Sequence, residues 1–161
     1  MLQKFIIDGY NVLHQIESYK IKLNNELESA RRQLVHDLKI YRASKKVEIL
    51  IVFDGSAEIP IPTNRMSEGG VEIIFSRAPL KADPVIMKII KSENRKKRIT
   101  VVTNDREIIV YAKKAGSNRI SPQEFYQRIK THSKESDIQN KINHDMTPEE
   151  LEEWKKIFGI Y

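Results

Sequence analysis

Four short apolar runs divide the first two thirds of the chain. They lie at residues 4–7 (KFII), 47–53 (VEILIVF), 71–75 (VEIIF) and 99–102 (ITVV), and they are rich in β-branched and aromatic residues. Runs of this length without regular polar alternation are typical of parallel strands that are covered on both faces. The pattern therefore predicts four strands of a parallel sheet.

Helical patterns lie between these runs. Residues 26–44 repeat apolar side chains at intervals of three and four, which predicts an amphipathic helix. A second helix is expected to begin at Asp83-Pro84, because proline is favoured at the first helical position. A third follows Asn104-Asp105 and ends near Gly116. The apolar stripes of the first two helices are Leu27, Ala30, Leu34, Leu38 and Tyr41, and Val85, Ile86, Ile89 and Ile90.

The pattern changes in the C-terminal part of the chain. Ser121-Pro122 opens a shorter helix through about Lys130, whereas residues 131–146 are polar, lack periodicity and are interpreted as a linker. A capping box at residues 147–150 starts a last helix. We therefore expect one domain over residues 1–130, with residues 131–161 forming a polar linker and a C-terminal helix that packs on or beside it. The apolar face of that helix is Leu151, Trp154, Ile157 and Phe158.

The alternation of strands and helices defines the expected fold class, α/β. A chain of 161 residues, 40% of them hydrophobic, is long enough for one domain with its own core. Right-handed crossovers would place helices on both faces of a mostly parallel, twisted sheet, giving a three-layer sandwich. Such sheets bind ligands at the carboxyl ends of their strands.

Composition excludes several classes of site. The chain has no cysteine, and its four histidines are scattered, so neither disulfides nor a zinc site is expected. No leader and no apolar stretch of about 20 residues is visible, which favours a cytoplasmic protein without a membrane partner. The net charge of +6 favours a polyanionic partner, although a generally basic proteome explains it as well. The basic run at residues 91–98 should lie at the amino edge of the sheet, either solvated or as a second docking surface for ribosomal RNA.

Four carboxylates are expected to meet at the carboxyl edge of the sheet. Asp8, Asp54 and Asp105 follow the first, second and fourth predicted strands, and Asp83 begins the helix that enters the same edge. Two carboxylates ~4 Å apart repel by about 1 kcal/mol in water and by more in a protein, so the cluster requires a cation or raised pKa values. Mg²⁺ or Mn²⁺ fits oxygen ligands and suggests phosphodiester hydrolysis.

Each of these acids also has a simpler explanation. Asp83 is a suitable N-cap residue, and Asn104 with Glu107 has the spacing of a capping box. Asp54-Gly55 is a common turn sequence. The informative feature is that all of them fall at one edge of the expected sheet. N-caps also gather at that edge in any α/β fold, so both interpretations stay open here.

The motifs IIDGYN (6–11), VFDG (52–55), ADPVI (82–86) and VVTND (101–105) occur in this order and spacing. In this respect the chain resembles the NYN domains of the PIN-like ribonuclease superfamily, and within them the YacP-like branch, over about residues 4–130. The resemblance implies a PIN-like fold and a metal-dependent endoribonuclease that binds Mg²⁺ or Mn²⁺. Some members of this branch are ribosome-associated enzymes that act on mRNA, which implies single-stranded mRNA as substrate and the ribosome as a partner.

The resemblance also implies roles for individual residues. Asp8, Asn11, Asp83 and Asp105 fall on the family's active-site positions, and the three acids among them would bind the metal. Some relatives carry two adjacent acids where this chain has Asp83-Pro84, so the number of metals stays open. Supporting roles fall to Asp54, Thr103 and Asn104.

Four further residues are candidates for binding RNA. Arg65, Arg77 and Lys81 flank the third predicted strand, close in sequence to Asp83, although solvated surface charge explains them too. Tyr10 can stack a base or be buried in the core.

Competing functions lack the motifs that they need. A receiver-like signalling domain requires paired acids after the first strand and a lysine after the last, and a dehalogenase-type phosphatase requires DxD where this chain has Asp8-Gly9-Tyr10. Neither GxxxxGK[ST] nor GxSxG is present. The remaining rival is a non-catalytic RNA- or ribosome-binding module on the same fold, which metal-dependent cleavage would distinguish.

Overall fold

A central sheet carries the fold. The computed structural model describes residues 2–55, 65–77, 80–145 and 147–158, and within them six strands pair in the order β3-β4-β2-β1-β5-β6. All neighbouring strands are parallel except β3, which pairs antiparallel with β4. The strands are β1 (Lys4–Asp8), β2 (Glu48–Phe53), β3 (Arg65–Glu68), β4 (Val71–Phe75), β5 (Ile99–Val102) and β6 (Asn118–Ile120).

Helices cover both faces of this sheet and complete a three-layer α/β sandwich, which confirms the predicted fold class. Helices α1, α2, α3 and α6 share a core with one face, and α4 and α5 share a core with the other. Successive residues of β1 alternate between the two cores: Phe5 and Ile7 point to the first, and Ile6 to the second. The helices are α1 (Gly9–Gln15), α2 (Glu17–Asn25), α3 (Leu27–Lys45), α4 (Ala82–Ser92), α5 (Arg106–Ala115), α6 (Pro122–Asp145) and α7 (Pro148–Phe158).

The two central strands, β1 and β2, are buried over almost their whole length. Every residue of β1 after Lys4 and every residue of β2 after Glu48 is buried, as the unbroken apolar runs predicted. Strands β3 and β6 were not predicted, because they are only four and three residues long and β3 is exposed throughout. Helix α2 was also missed, since its sequence ESYKIKLNN buries only Tyr19.

Two predicted helix starts differ from the observed ones. The N-cap of α4 is Lys81, so Asp83 lies inside the first turn and does not cap the helix. The N-cap of α5 is Asp105, whose side chain accepts hydrogen bonds from the N–H groups of Glu107 and Ile108, so the predicted cap at Asn104 was wrong by one residue. At α4 the N-cap is a lysine without a capping hydrogen bond, so a search for a capping side chain misplaces that boundary.

The predicted helix end near Lys130 was wrong, because α6 continues to Asp145 through most of the segment that was interpreted as a linker. The segment contains no glycine or proline, so nothing ends the helix near Lys130. Because the segment lacks an apolar stripe, its sequence pattern is similar to that of a loop. The capping box that starts α7 is present, with Thr147 N–H donating to Glu150 over 3.0 Å. The side chains of Leu151, Trp154 and Phe158 lie outside the described residues, and the helices of the described part offer no stretch suited to crossing a membrane.

Candidate active site at the carboxyl edge of the sheet

The acids predicted to converge lie at one edge of the sheet. Strand β1 sits between β2 and β5, so the chain winds to one side of β1 first and later to the other. This reversal of strand order opens a crevice at the carboxyl ends of the strands, where α/β folds bind ligands. Asp8 ends β1, Asp54 follows β2, and Asp105 follows β5 by three residues.

Asp8 is the buried member of the group. Only 7% of the residue is exposed, and its Oδ2 accepts a 3.0 Å hydrogen bond from the Thr103 hydroxyl. The same hydroxyl accepts a 3.0 Å hydrogen bond from the N–H of Asp105, so Thr103 joins the end of β1 to the start of α5. Burial raises the pKa of Asp8 to about 7, the Thr103 hydrogen bond opposes this shift, and the neighbouring carboxylates Asp83 and Asp105 add to it. The charged groups of the described residues that act on Asp8 are carboxylates, Asp83, Asp105 and Asp54, and all of them favour its neutral form.

Asp83 and Asp105 form a tight carboxylate cluster with a residue that was not predicted as a ligand. One oxygen of each of Asp83, Asp105 and Glu107 lies within 4.8 Å of the other two. Burial first, and then the charge of Asp105, raises the pKa of Asp83. The sequence signal for Glu107 was its position two residues after Asp105, but that position was interpreted only as half of a capping box. Oxygen ligands at such separations fit a hard divalent cation.

Asp54 holds the start of α4. Its Oδ1 accepts a hydrogen bond from the N–H of Ala82, in the first turn of a helix whose own N-cap makes no side-chain hydrogen bond. The end of β2 is thereby tied to the turn that carries Asp83. The next residue, Gly55, packs against Ser76, the first residue after β4. A Cβ added to Gly55 would lie 1.7 Å from the carbonyl oxygen of Ser76. Asp54 therefore positions the start of α4, and this contact does not depend on a metal.

Asn11 and Asn104 fix the loop between β5 and α5. The N–H of Asn104 donates to Asn11 Oδ1 over 2.9 Å. Arg119 donates to Asn104 Oδ1 over 2.6 Å and to the carbonyl oxygen of Thr103 over 3.1 Å. These contacts hold the loop that presents Asp105, so the predicted supporting roles of Thr103 and Asn104 have a geometric counterpart.

Tyr10 lies beside the acids on the α3 side of the sheet, half-buried. Its ring packs 5.3 Å from that of Phe53, and its hydroxyl accepts a 3.2 Å hydrogen bond from Arg31. Burial raises the pKa of Tyr10, and Arg31 opposes that shift. The Arg31 guanidinium lies 5.4 Å from the centre of the Phe75 ring and forms an ion pair with Glu28. Arg31 was not singled out from the sequence, where it appeared only as part of the polar face of α3.

The predicted phosphate contacts separate into two groups. Arg77 and Lys81 are exposed and lie between β4 and Asp83. Arg65 lies on the edge strand β3, three strands away from β1, and pairs with Glu72. At about 4.8 Å between strands, that places the Arg65 backbone roughly 14 Å from Asp8. Lys81 is close enough to Asp83 for its charge to oppose the rise in the pKa of Asp83, whereas Arg65 is far from the cluster.

The basic run at residues 91–98 lies at the amino edge of the sheet, and its cations Lys96 and Arg98 have partners within the fold. Lys96 Nζ donates to the carbonyl oxygens of Ile90 and Lys91 over 2.6 and 2.7 Å, at the C-terminal end of α4. Arg98 pairs with Glu48 and Glu93, each over 3.1 Å. Part of this charge therefore stabilises the fold.

Comparison with known proteins agrees with the fold and with the resemblance. A family model described as the YacP-like NYN domain matches residues 5–159. The crystal structure of Rae1 (YacP) from Bacillus subtilis is similar, with a TM-score of 0.73, 22% identity, and coverage of 98% of this chain and 88% of that one. A tryptophan-to-leucine variant of Rae1 gives a TM-score of 0.72, 25% identity, and coverage of 89% and 85%. No match was found among curated proteins.

Proposed function

This chain belongs to the YacP-like NYN domain family, and from that premise we propose that it is a metal-dependent endoribonuclease that hydrolyses phosphodiester bonds in single-stranded RNA. The observation that carries the proposal is the convergence of carboxylates from three separate segments at the crevice beside β1. Bringing like charges together is costly, most of all for the buried Asp8, and a bound cation offsets that cost.

The donor set fits Mg²⁺ or Mn²⁺. The candidate ligands are all carboxylate oxygens, and those of Asp83, Asp105 and Glu107 lie within 4.8 Å of one another. Asp8 lies outside that group of three, and it is proposed as a further ligand from β1 because its charge interacts with both Asp83 and Asp105. When bound, such an ion neutralises charge that develops on the phosphodiester and lowers the pKa of a water molecule.

The remaining residues hold these groups in place. Thr103 orients Asp8 and the start of α5, Asp54 fixes the start of α4, and Asn11 fixes the loop before Asp105. Hydrogen bonds of this kind keep the acids in a fixed geometry, and a reaction at a bound phosphate requires such a geometry.

RNA is proposed to approach across the α3 side of the acids. There the guanidinium of Arg31 and the half-buried ring of Tyr10 offer a phosphate contact and a base contact next to each other. Arg77 and Lys81 extend this positive border beside Asp83. We propose mRNA as the natural substrate and the ribosome as its cytoplasmic context, on the strength of the resemblance to ribosome-associated enzymes and of the net charge of +6.

The test is cleavage of a labelled single-stranded RNA with and without Mn²⁺ or Mg²⁺, with ribosomes in a parallel series. We expect cutting that requires metal and falls at least about 100-fold in Asp8→Asn, a loss of roughly 3 kcal/mol of transition-state stabilisation. Asp137→Asn, the same change at an exposed position of α6, is the control and should leave the rate unchanged.

A second outcome would change the assignment. If wild-type protein binds RNA or ribosomes tightly but cuts in no condition, the protein is a binding module on the same fold. Equal cleavage by wild type and Asp8→Asn would contradict the proposed site itself.

A further inference from the structure

An open pocket lies at the amino edge of the sheet, opposite the acids. Its volume is about 490 Å³, and it is bordered by the start of β1, the turn from α3 to β2, and α6. Phe5 is the lining residue of β1 nearest to Asp8, and it lies three residues before Asp8, roughly 10 Å along the strand at about 3.3 Å per residue. It is therefore a different site from the carboxylate crevice, and its volume is in the usual range for small-molecule sites.

The polar lining of this pocket is basic. Lys45, Lys46, Arg128 and His132 line it, and the described lining residues include no acid. Within the described part of the chain, the ion pairs found do not involve Lys45, Lys46 or Arg128. Three cations that share one pocket repel each other, so an anion placed among them is stabilised.

Lys46 occupies its position at a conformational cost. Its φ of 51° is in the left-handed region, where it is the one non-glycine residue among those that the structure describes. It ends α3 as the C-cap, and glycine is the residue favoured near such helix ends. A lysine there costs about 1 kcal/mol relative to glycine, yet it adds a cation to the pocket.

The other lining residues are apolar or aromatic. Leu2 is 47% exposed at the pocket, and Val47 lies on the same border. Tyr41 forms part of the floor, and the guanidinium of Arg128 faces its hydroxyl. The pocket thus combines a place for an anionic group with an apolar surface beside it.

We propose that this pocket binds a nucleotide, with the phosphate among Lys45, Lys46 and Arg128 and the base against Leu2 and Val47. The nucleotide belongs either to an RNA chain or to a free mononucleotide, since both present the same phosphate and base. The proposal does not depend on the catalytic activity of the carboxylate site.

The test is calorimetric titration of the full-length protein in EDTA with UMP, AMP, inorganic phosphate, a short RNA oligonucleotide and a hexaglutamate peptide. Lys46→Gly and Arg128→Ala should each weaken nucleotide binding about tenfold or more, the effect of one charge-assisted hydrogen bond. Lys46→Gly should also melt no lower than wild type, because glycine relieves the left-handed backbone, so a loss of binding cannot be ascribed to unfolding. Lys88→Ala removes an exposed cation from α4, on the other face of the sheet, and should change nothing.

Specific results would overturn the proposal. The first is that no nucleotide shows saturable binding. The second is that Lys88→Ala weakens nucleotide binding as much as Lys46→Gly and Arg128→Ala do. The third is that phosphate or hexaglutamate binds as tightly as UMP and AMP. Tighter binding of the oligonucleotide than of mononucleotides would identify an RNA chain as the ligand, and equal binding would identify the free nucleotide; both support the site.

Discussion

The buried charge of Asp8 predicts that replacing it with asparagine stabilises the metal-free protein. The pKa of Asp8 rises from 3.8 to about 7 on folding, mainly through burial and also through the charges of Asp83 and Asp105. A carboxylate whose pKa is higher in the folded state than in the unfolded state destabilises the folded state at every pH above its unfolded-state pKa. Asparagine has nearly the same shape, can still accept the hydrogen bond from Thr103, and carries no charge.

The size of the effect follows from the shift. Each pKa unit corresponds to about 1.4 kcal/mol, so a shift of about three units gives about 4 kcal/mol. Below about pH 4, Asp8 is protonated in the folded protein and largely protonated in the unfolded chain, so the two variants should differ by less than about 1 kcal/mol. The difference should grow as pH rises from about 4 to 7 and stay constant above that. At pH 8 it corresponds to a rise in melting temperature of about 10 °C.

The assay is urea unfolding of wild type and Asp8→Asn in EDTA at pH 4, 6 and 8. Asp37→Asn is the matched control, because Asp37 is also 7% exposed but accepts hydrogen bonds from Tyr19 and Gln33. That variant should lose stability at pH 8, since a carboxylate that accepts from two donors is replaced by an amide. The reasoning is refuted if Asp8→Asn is no more stable than wild type at pH 8, or if its gain is the same at pH 4 and pH 8.

Three other substitutions test particular contacts. Gly55→Ala should destabilise the fold by several kcal/mol in urea unfolding, because its Cβ would meet the backbone of Ser76 at 1.7 Å; a loss below about 1 kcal/mol would contradict this. Lys96→Met should cost about 1–2 kcal/mol in the same assay, since it leaves the carbonyl groups at the end of α4 without their shared donor, and an unchanged midpoint would count against that role. Arg31→Lys should weaken RNA binding severalfold in an anisotropy assay while unfolding normally, because lysine cannot lie flat over Phe75 and also reach Tyr10; unchanged affinity would remove Arg31 from the RNA path.

The sheet edge was predictable because the strands that form it are buried on both faces. The apolar runs of β1, β2 and β5 show where each strand ends. Asp8, Asp54 and Asp105 lie at those ends or within three residues of them, so their shared edge could be predicted. The resemblance of the motifs to the NYN domains was confirmed by the family match. Local sequence was sufficient wherever a residue's position depends on its own strand.

Features that depend on contacts between distant segments were not predictable in this way. Glu107 joins the carboxylate cluster only because α4 brings Asp83 to the start of α5. Arg31 reaches Tyr10 and Phe75 only because α3 packs over the ends of β2 and β4. The length of α6 was missed for a different reason, since a polar helix and a polar loop have the same composition.

The hydrogen bonds within the carboxylate site fix the orientation of its acids without any ligand. One oxygen of Asp8 accepts from Thr103, one of Asp54 accepts from Ala82, and one of Asp105 accepts from the N–H groups that begin α5. A cation at the proposed site would therefore meet side chains that are already ordered. Less conformational entropy is then lost on binding than at a set of freely rotating surface acids.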